Sequence, residues 1–155
     1  MTTRGLMALL LCFGMFTFAA TAVYTAEKVE DTKLEDLNQQ RENALQERVN
    51  VAVLCREATQ AAYEAETVTL WQLIDAINGE KEAKLAVSKG SERIKVLRSH
   101  LEQMQQLELR MKMLVQVGTT GGSAVNYPLA HRERLSAEIE LLEEQIKQSG
   151  QGQSK

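Results

Sequence analysis

The residues in this sequence best suited to chemistry are a histidine and several methionines in its second half. His100 and Met104 lie one helical turn apart, and Met111 follows seven residues after Met104. Imidazole and thioether groups bind Cu(I), so this spacing could form a copper site. The methionines also lie on an apolar stripe of helical period, where Met commonly fills a hydrophobic core. We interpret them as core residues, and since His131 has no second ligand at helical spacing, we predict no metal site and no cofactor.

Acidic residues and a glycine-rich segment are the remaining candidates for catalysis. The acidic run, Glu138, Glu140, Glu143 and Glu144, stands near Arg132, Arg134 and Lys147. Such a mixture is typical of a solvated helix face with ion pairs four residues apart. The segment 118–122 is rich in Gly, but it lacks the Lys of a phosphate-binding loop and no strand precedes it. We therefore predict a protein without catalytic residues.

Cys55 is the one cysteine outside the amino-terminal apolar segment. It lies on a stripe of mostly small residues in the predicted first helix, where a buried thiol behaves as a small hydrophobe. We predict that Cys55 packs in a seam between helices. The alternative is a disulfide between two chains, because a lone cysteine in an exported protein has no intramolecular partner.

The amino-terminal segment has the pattern of a signal peptide. Arg4 precedes eighteen uncharged residues, Leu6–Val23, and Ala20-Thr21-Ala22 fits the small-x-small site of signal peptidase. We predict that residues 1–22 are a cleaved signal peptide and that the mature chain is periplasmic or otherwise exported. The alternative is an uncleaved inner-membrane anchor, because eighteen residues are near the lower limit for a spanning helix. Only this segment is expected to contact a membrane.

The composition after that segment favours long helices over a compact globule. All three Phe residues lie within Leu6–Val23, the whole chain has one Pro, and helix-forming residues predominate. The formal net charge of the full chain is −3, with acids and bases interspersed. A nucleic-acid-binding surface needs clustered Lys and Arg, so none is expected. The predicted fold class is all-α.

Three helices are predicted after a linker at residues 23–31. The first begins at a capping box, Thr32–Glu35, and carries a stripe at spacings of three and four. That stripe consists of Leu34, Leu37, Arg41, Ala44, Arg48, Val51, Cys55, Ala58, Ala62 and Ala65. The second begins at a capping box, Thr69–Gln72, and runs to about Val117, continuous or slightly bent at Gly90. Its stripe is Ile94, Leu97, Leu101, Met104, Met111 and Val115, with Glu108 as the one polar break.

The third helix is predicted to begin between Ser123 and Pro128. Its stripe consists of Leu135, Ile139, Leu142 and Ile146. Residues 149–155 have nothing apolar to bury and are predicted to be disordered. The links between helices are short, so neighbours must run antiparallel, and the predicted domain at residues 32–148 is a three-helix up-down-up coiled coil. Its core is thin, and we expect self-association or a helical protein partner to complete the burial.

An internal repeat relates the two predicted links. A shift of 52 residues places Ala65 on Val117 and Thr67 on Thr119, and a Ser or Thr follows each link where the next helix needs a cap. With Ala65-Glu66-Thr67 and Val117-Gly118-Thr119 in these positions, the sequence resembles the periplasmic helical part of TolC-like outer membrane efflux proteins. That family repeats an aromatic or apolar residue, Gly and a small polar pair ahead of an Ala-rich helix.

The resemblance implies that the two links are hairpin tips that contact a partner protein. The implied contact residues are Glu66, Thr67, Val68, Val117, Gly118 and Thr119. Glu66 stands where the family has Gly, and no strand pattern for an outer membrane barrel is present, so a complete channel is not expected. The sequence predicts a non-enzymatic helical interaction or structural protein of the cell envelope. The alternative is a periplasmic holdase-like or metal-responsive helical protein.

Overall fold

The computed structural model describes the backbone of residues 4–118 and 123–152, with side chains over 33–118 and 125–150. Those residues form four α-helices and no strand, so the predicted all-α class is confirmed. The helices are α1 (Arg4–Glu64), α2 (Leu70–Val87), α3 (Ser91–Gln116) and α4 (Ser123–Gly152). Helix α4 thus continues past Ser149, into the segment for which the sequence predicts disorder.

The chain divides into two compact units, Met1–Ala44 and Leu45–Lys155. Helix α1 does not begin at Thr32 as the capping box predicts, and the predicted linker at 23–31 is helical. No Gly or Pro stands between Ala26 and Leu45, so nothing in that stretch ends a helix ahead of Thr32. Across the part of the chain that the structure describes, no helix combines the length and apolarity needed to cross a bilayer.

The predicted second helix is two helices, and the expectation of one continuous or bent rod is wrong. Helix α2 ends at Val87, and both the amide and the hydroxyl of Ser88 donate to the carbonyl of Lys84, at 3.1 and 2.7 Å. Gly90 then adopts a φ of +51°, which glycine reaches without a steric penalty. The reversal at these residues lets α3 pack against α2 as well as against α4.

Consecutive helices run antiparallel in the second unit, which combines the carboxyl-terminal part of α1 with α2, α3 and α4. The predicted three-helix arrangement is therefore replaced by four helical segments. Three polar contacts fix the directions: Arg56 Nε to Glu80 Oε2 at 2.7 Å, His100 Nε2 to Asn78 Oδ1 at 2.9 Å, and His131 Nδ1 to Glu108 Oε1 at 2.6 Å. Each joins positions nearly equidistant from the link between their helices, as an antiparallel pair requires.

The start of α2 follows the sequence prediction closely. The Thr69 amide donates to Gln72 Oε1 at 2.8 Å, and the Gln72 amide donates to Thr69 Oγ1 at 3.4 Å, so the predicted capping box is confirmed. Reciprocal bonds of this kind satisfy amides that have no partner within the helix. The buried side chains of α2 then recur at helical spacing: Leu70, Leu73, Ile74, Ile77, Glu80 and Ala83.

The core of the second unit is built from α2, α3 and α4. Its buried members are Leu70, Leu73, Ile74, Ile77, Met104, Leu107, Met111, Leu129, Ala130 and Ala137. Leu97 is buried as well, so the inner face of α3 (Leu97, Met104 and Met111) follows the predicted heptad stripe as far as Met111, whereas Val115, its last predicted member, is 43% exposed. Met104 and Met111 are almost fully buried, which confirms their interpretation as core residues.

Two predicted stripes face outwards instead. In α4 the predicted stripe is exposed, and the buried positions are Leu129, Ala130, Ala137 and Leu141. In α1 the inward positions within residues 45–64 include Val49, Arg56 and Tyr63, one position beyond the predicted Arg48, Cys55 and Ala62. Cys55 is exposed, so the prediction that it packs in a seam within the chain is wrong. In both helices the inner face combines apolar residues with small or polar ones, such as Ala130 in α4 and Arg56 in α1, and a stripe drawn through the apolar or small positions alone does not identify it.

Candidate interaction surfaces

The first reversal is formed by residues that follow α1. Glu66 adopts a left-handed backbone with a φ of +58°, its amide donates to the Tyr63 carbonyl at 3.1 Å, and the Thr67 amide donates to the Ala62 carbonyl at 2.9 Å. This pair of bonds is the Schellman arrangement, which usually takes Gly at the left-handed position. A side chain there costs about 1–2 kcal/mol. The reversal therefore forms despite strain at Glu66, which stands where the TolC-like pattern has Gly.

The second reversal places Gly118 in the equivalent position. Its φ is +71°, and its amide donates to the Val115 carbonyl at 3.2 Å, which matches the bond from Glu66 to Tyr63. The repeat offset of 52 residues also places Glu66 on Gly118. The two helix ends therefore share a left-handed residue and the same amide-to-carbonyl bond at equivalent positions of the repeat. Thr119, which the sequence predicts to be a contact residue, lies outside the described residues.

Both reversals lie at one end of the second unit, which we call the tip end: residues 63–71, 110–118 and 125–126. A cleft of about 600 Å³ there is lined by residues of both regions, including Tyr63, Glu66, Val68, Arg110 and Val125. The structure thus brings Glu66 and Val68 of the first predicted tip next to residues that flank the second. These sites are far apart in the sequence, and the repeat alone does not predict that they share one cleft.

Large apolar side chains are exposed around the tip end. Val117 is 73% exposed, Val125 is 71% exposed and Trp71 is 49% exposed. The Arg132 guanidinium lies 5.3 Å from the centre of the Trp71 ring, and the Arg110 guanidinium lies 5.4 Å from the centre of the Tyr63 ring. Apolar side chains beside Arg–aromatic pairs resemble the composition of protein-binding surfaces, in which Trp, Tyr and Arg are enriched.

A buried carboxylate joins α1 to α2. Glu80 is 4% exposed, and Arg56 Nε donates to it at 2.7 Å from α1 while Lys84 donates to it from the next turn of α2. Burial by itself raises the pKa of the Glu80 carboxyl, but the hydrogen bonds from Lys84 and Arg56 outweigh it and hold the pKa below its ordinary value. Arg56 is thus one of the few strong contacts that hold α1 against the core.

His100 is buried between α2 and α3. Its Nε2 lies 2.9 Å from Asn78 Oδ1, an acceptor, so Nε2 carries the proton in the neutral ring, and Nδ1 has no hydrogen-bond partner among the described residues. Burial, helped by the positive charge of Lys81, lowers the pKa of His100 to about 4, although Glu140 and Glu133 act in the opposite direction. The ring is therefore neutral at pH 7, and it also lines a pocket of about 200 Å³.

Glu108, the polar break in the α3 stripe, links α3 to α4. His131 Nδ1 lies 2.6 Å from its Oε1, and Arg134 Nε donates to its Oε2 at 3.0 Å. Burial raises the pKa of Glu108, but the hydrogen bonds from His131 and Arg134 are stronger in sum and lower it. This link between α3 and α4 was not predicted from the sequence. The signal was present, because a carboxylate on an otherwise apolar stripe needs a cationic partner on the facing helix.

The metal hypothesis can be compared with the geometry. Met104 and Met111 are enclosed in the core, so their sulfur atoms do not meet solvent. Among the residues whose positions are described, no three or more His, Cys, Asp or Glu side chains are grouped so that they could hold a metal ion. His100 and His131 are each occupied by a contact to a facing helix, with Asn78 and Glu108 respectively.

Comparison of the chain with protein-family models, with curated proteins and with solved structures finds no match in any of the three.

Proposed function

We propose that this chain is a non-enzymatic helical interaction protein of the cell envelope, which binds a protein partner through its tip end. One observation carries the proposal: both reversals meet at one end, and Val117, Val125 and Trp71 are exposed there. An apolar centre with charged residues at its edge is the usual anatomy of a protein-binding patch. The two links resemble TolC-like hairpin tips, and this resemblance also supports the tip end as the contact site.

The chemistry of the tip end favours a partner with an apolar surface and acidic groups at its edge. Arg110 and Arg132 are 45% and 62% exposed, and each lies over an aromatic ring. Arg132 also donates to Glu133 Oε1 from Nε and Nη2, at 2.9 and 2.6 Å, and Arg110 lies 3.9 Å from Glu64, so a partner carboxylate would meet the remaining donors of each guanidinium group. Residues 45–118 and 125–150 also contain buried ion pairs that hold the helices in place, so we propose that the surface is formed before the partner binds.

Site-specific photo-crosslinking tests the tip end as the contact. A photoreactive phenylalanine analogue at Thr67 or at Val117 is expected to give the same crosslinked protein in intact cells, because both positions lie at one end. The matched control is Lys89, which is also exposed but belongs to the link at the opposite end of α2. The change Val125→Asp is expected to abolish both crosslinks, and with the analogue at Thr67 the paired change, Val117→Asp with Val125→Asp, is expected to do the same. Equal crosslinking at Lys89, or crosslinks that survive these changes, would contradict the proposal.

Export is part of the same proposal, and it rests on the apolar segment Leu6–Val23 with Ala20-Thr21-Ala22 at its end. We expect cleavage after Ala22. Intact mass or amino-terminal sequencing of the cell-envelope fraction is expected to give a chain that begins at Val23. A mature chain that keeps its first residues would instead be an anchored protein.

The holdase-like or metal-responsive alternative has less support. It requires an exposed methionine-rich surface, and the methionines at heptad spacing, Met104 and Met111, are in the core. Met113 is 51% exposed, but one Met side chain does not make such a surface.

A further inference from the structure

Helix α4 has two apolar faces, and only one of them is used within the chain. The inner face contributes Ala130, Ala137 and Leu141 to the core. The outer face, defined here as the predicted stripe, has exposures of 40% for Leu135, 56% for Ile139, 51% for Leu142 and 72% for Ile146. These residues are spaced 4-3-4, which is the pattern of a coiled-coil seam. An isolated exposed Leu is ordinary, but a regular row of four is a surface for another helix.

The neighbours of α4 in the described structure do not cover this outer face. Lys81 of α2 bonds to Glu140 at 2.8 Å, and Arg93 of α3 lies 3.3 Å from Glu144. In a heptad with Ile139 at one seam position, Glu140 and Glu144 fall away from the outer face, on the side of the core. The covering helix must therefore come from outside these residues.

We propose that a second copy of this chain covers the outer face with its own α4, antiparallel to the first. Rotation about a two-fold axis places the same stripe on both sides, so a face of this kind is complementary to itself. With the axis between positions 140 and 141, Ile139 faces Leu142 of the second copy and Leu135 faces Ile146. Every apolar member then has a partner. A shift by one heptad in either direction leaves part of each stripe uncovered.

The charges beside the stripe select the antiparallel direction. In a heptad defined by this stripe, Glu138 and Gln145 flank one side, while Ser136 and Glu143 flank the other. A parallel pair would place Glu138 beside Glu143 of the second copy, twice over, because facing flanks meet across a coiled coil. Like charges in that position repel. In the antiparallel pair, Glu138 meets Gln145 and Glu143 meets Ser136, so both carboxylates avoid another carboxylate.

This inference does not depend on the tip end, which uses other residues. The tip variants Val117→Asp and Val125→Asp are therefore expected to leave the dimer intact. Variants that lose the dimer are expected to give the same crosslinked protein at the tip end. Failure of one proposal can thus be told from failure of the other.

Sedimentation equilibrium of the exported full-length product, from about 1 to 300 µM, tests the dimer. The unaltered chain is expected to show a monomer–dimer equilibrium, and Ile139→Glu is expected to weaken it at least tenfold. The matched control is Leu109→Glu on α3, because Leu109 is 58% exposed and Ile139 is 56% exposed. The control is expected to dimerise as the unaltered chain does. Far-UV circular dichroism checks that both variants remain helical, and Ile146→Glu serves as a second variant of the outer face.

Distances between identical spin labels on two copies test the direction. With both cysteines replaced by Ala, single labels at position 143 and at position 149 are compared. The antiparallel register separates the two copies along the helix axis by about 8 Å at position 143 and about 25 Å at position 149, from a rise of about 1.5 Å per residue. A parallel dimer has no offset along the axis at either position, so its two label distances differ only because position 149 lies on the seam and position 143 flanks it.

Four outcomes would overturn the proposal. They are a monomer over the whole concentration range, a dimer that Ile139→Glu leaves unchanged, equal weakening by Leu109→Glu, and a label distance at position 149 no longer than that at position 143. Strengthening of the dimer by Glu138→Lys would point to the parallel arrangement, since a lysine there would meet Glu143 of the second copy. In the antiparallel pair this change is expected to have less than a twofold effect.

Discussion

The inner face of α3 and the outer face of α4 are two stripes of similar composition that meet different fates. Leu97, Met104 and Met111 are at most 1% exposed, while the four residues of the outer face are 40–72% exposed. In the sequence both stripes keep heptad-like spacing, and both were expected to lie in the core. The difference teaches that periodicity identifies an apolar face but does not say which chain covers it.

The largest expected effect on stability comes from replacing one side chain of each face by alanine. Met104→Ala is expected to lower the free energy of unfolding by about 2–5 kcal/mol, because it leaves a cavity in the core. Leu142→Ala is expected to change it by about 0.5 kcal/mol or less at a concentration where the chain is monomeric, because the side chain already meets water. Urea unfolding followed by circular dichroism measures both. Equal losses of stability would contradict the assignment of Met104 to the core and of Leu142 to the exposed face.

The pH dependence of the free energy of unfolding tests the burial of His100, which lies on α3 as the inner face does. The pKa of His100 is about 4 in the folded chain and 6.5 by reference, so the unfolded state binds more protons between those values. The stability that comes from keeping His100 neutral is fully present above pH 6.5. It is lost as the pH falls towards 4, which lowers the free energy of unfolding by about 3 kcal/mol in total. His100→Gln is expected to flatten the slope in that window. An unchanged slope would show that His100 is not the group responsible.

The two reversals determine which helix faces are directed towards the core, so their contribution to stability can be measured separately. Glu66→Gly is expected to stabilise the chain by about 0.5–1 kcal/mol, since glycine removes the left-handed penalty but adds freedom to the unfolded state. Gly118→Ala is the matched change in the opposite direction. The space around Gly118 is open, so only its φ of +71° opposes a side chain, and a loss of about 1 kcal/mol is expected. Thermal or urea unfolding of both variants checks the signs, and a loss for Glu66→Gly would contradict the left-handed assignment.

The smallest expected effect concerns the outer side of α1. Cys55→Ala is expected to change the free energy of unfolding by no more than about 0.5 kcal/mol, because Cys55 is exposed. A seam position would cost more, so the size of the effect distinguishes the two placements. A disulfide-linked dimer on non-reducing gels would instead show that α1 meets another chain at this residue.

Part of the fold could be predicted from local sequence, because its causes are local. The capping box at Thr69 depends on two side chains three residues apart, and the repeat places Glu66 and Gly118 at equivalent positions of the two links. A slight bend was predicted at Gly90, whereas the chain reverses at residues 88–90. A single Gly costs only about 1 kcal/mol in a helix interior, and the deciding energy came from packing between distant residues.

The interaction surfaces were harder to predict for the same reason. Glu108 has its partners His131 and Arg134 on the next helix, and the tip end combines residues about 50 positions apart, as the sequence offset between Glu66 and Gly118 illustrates. The inward position of Arg56 was also missed, since the predicted stripe of the first helix passed through the neighbouring Cys55 instead. Its burial makes sense only once Glu80 is known to lie opposite, because buried charges need a paired partner.

The contacts between successive helices have a consequence for how fast the molecule folds. The polar pairs Arg56–Glu80, Asn78–His100 and Glu108–His131 join residues that are 24, 22 and 23 positions apart. Such pairs can form after closure of a short loop, and proteins dominated by them fold in microseconds to milliseconds. Each hairpin can therefore form early. Covering of the outer face of α4 by a second copy is a bimolecular step, because two chains must meet. Its rate would therefore rise with protein concentration, whereas the rate of hairpin formation would not.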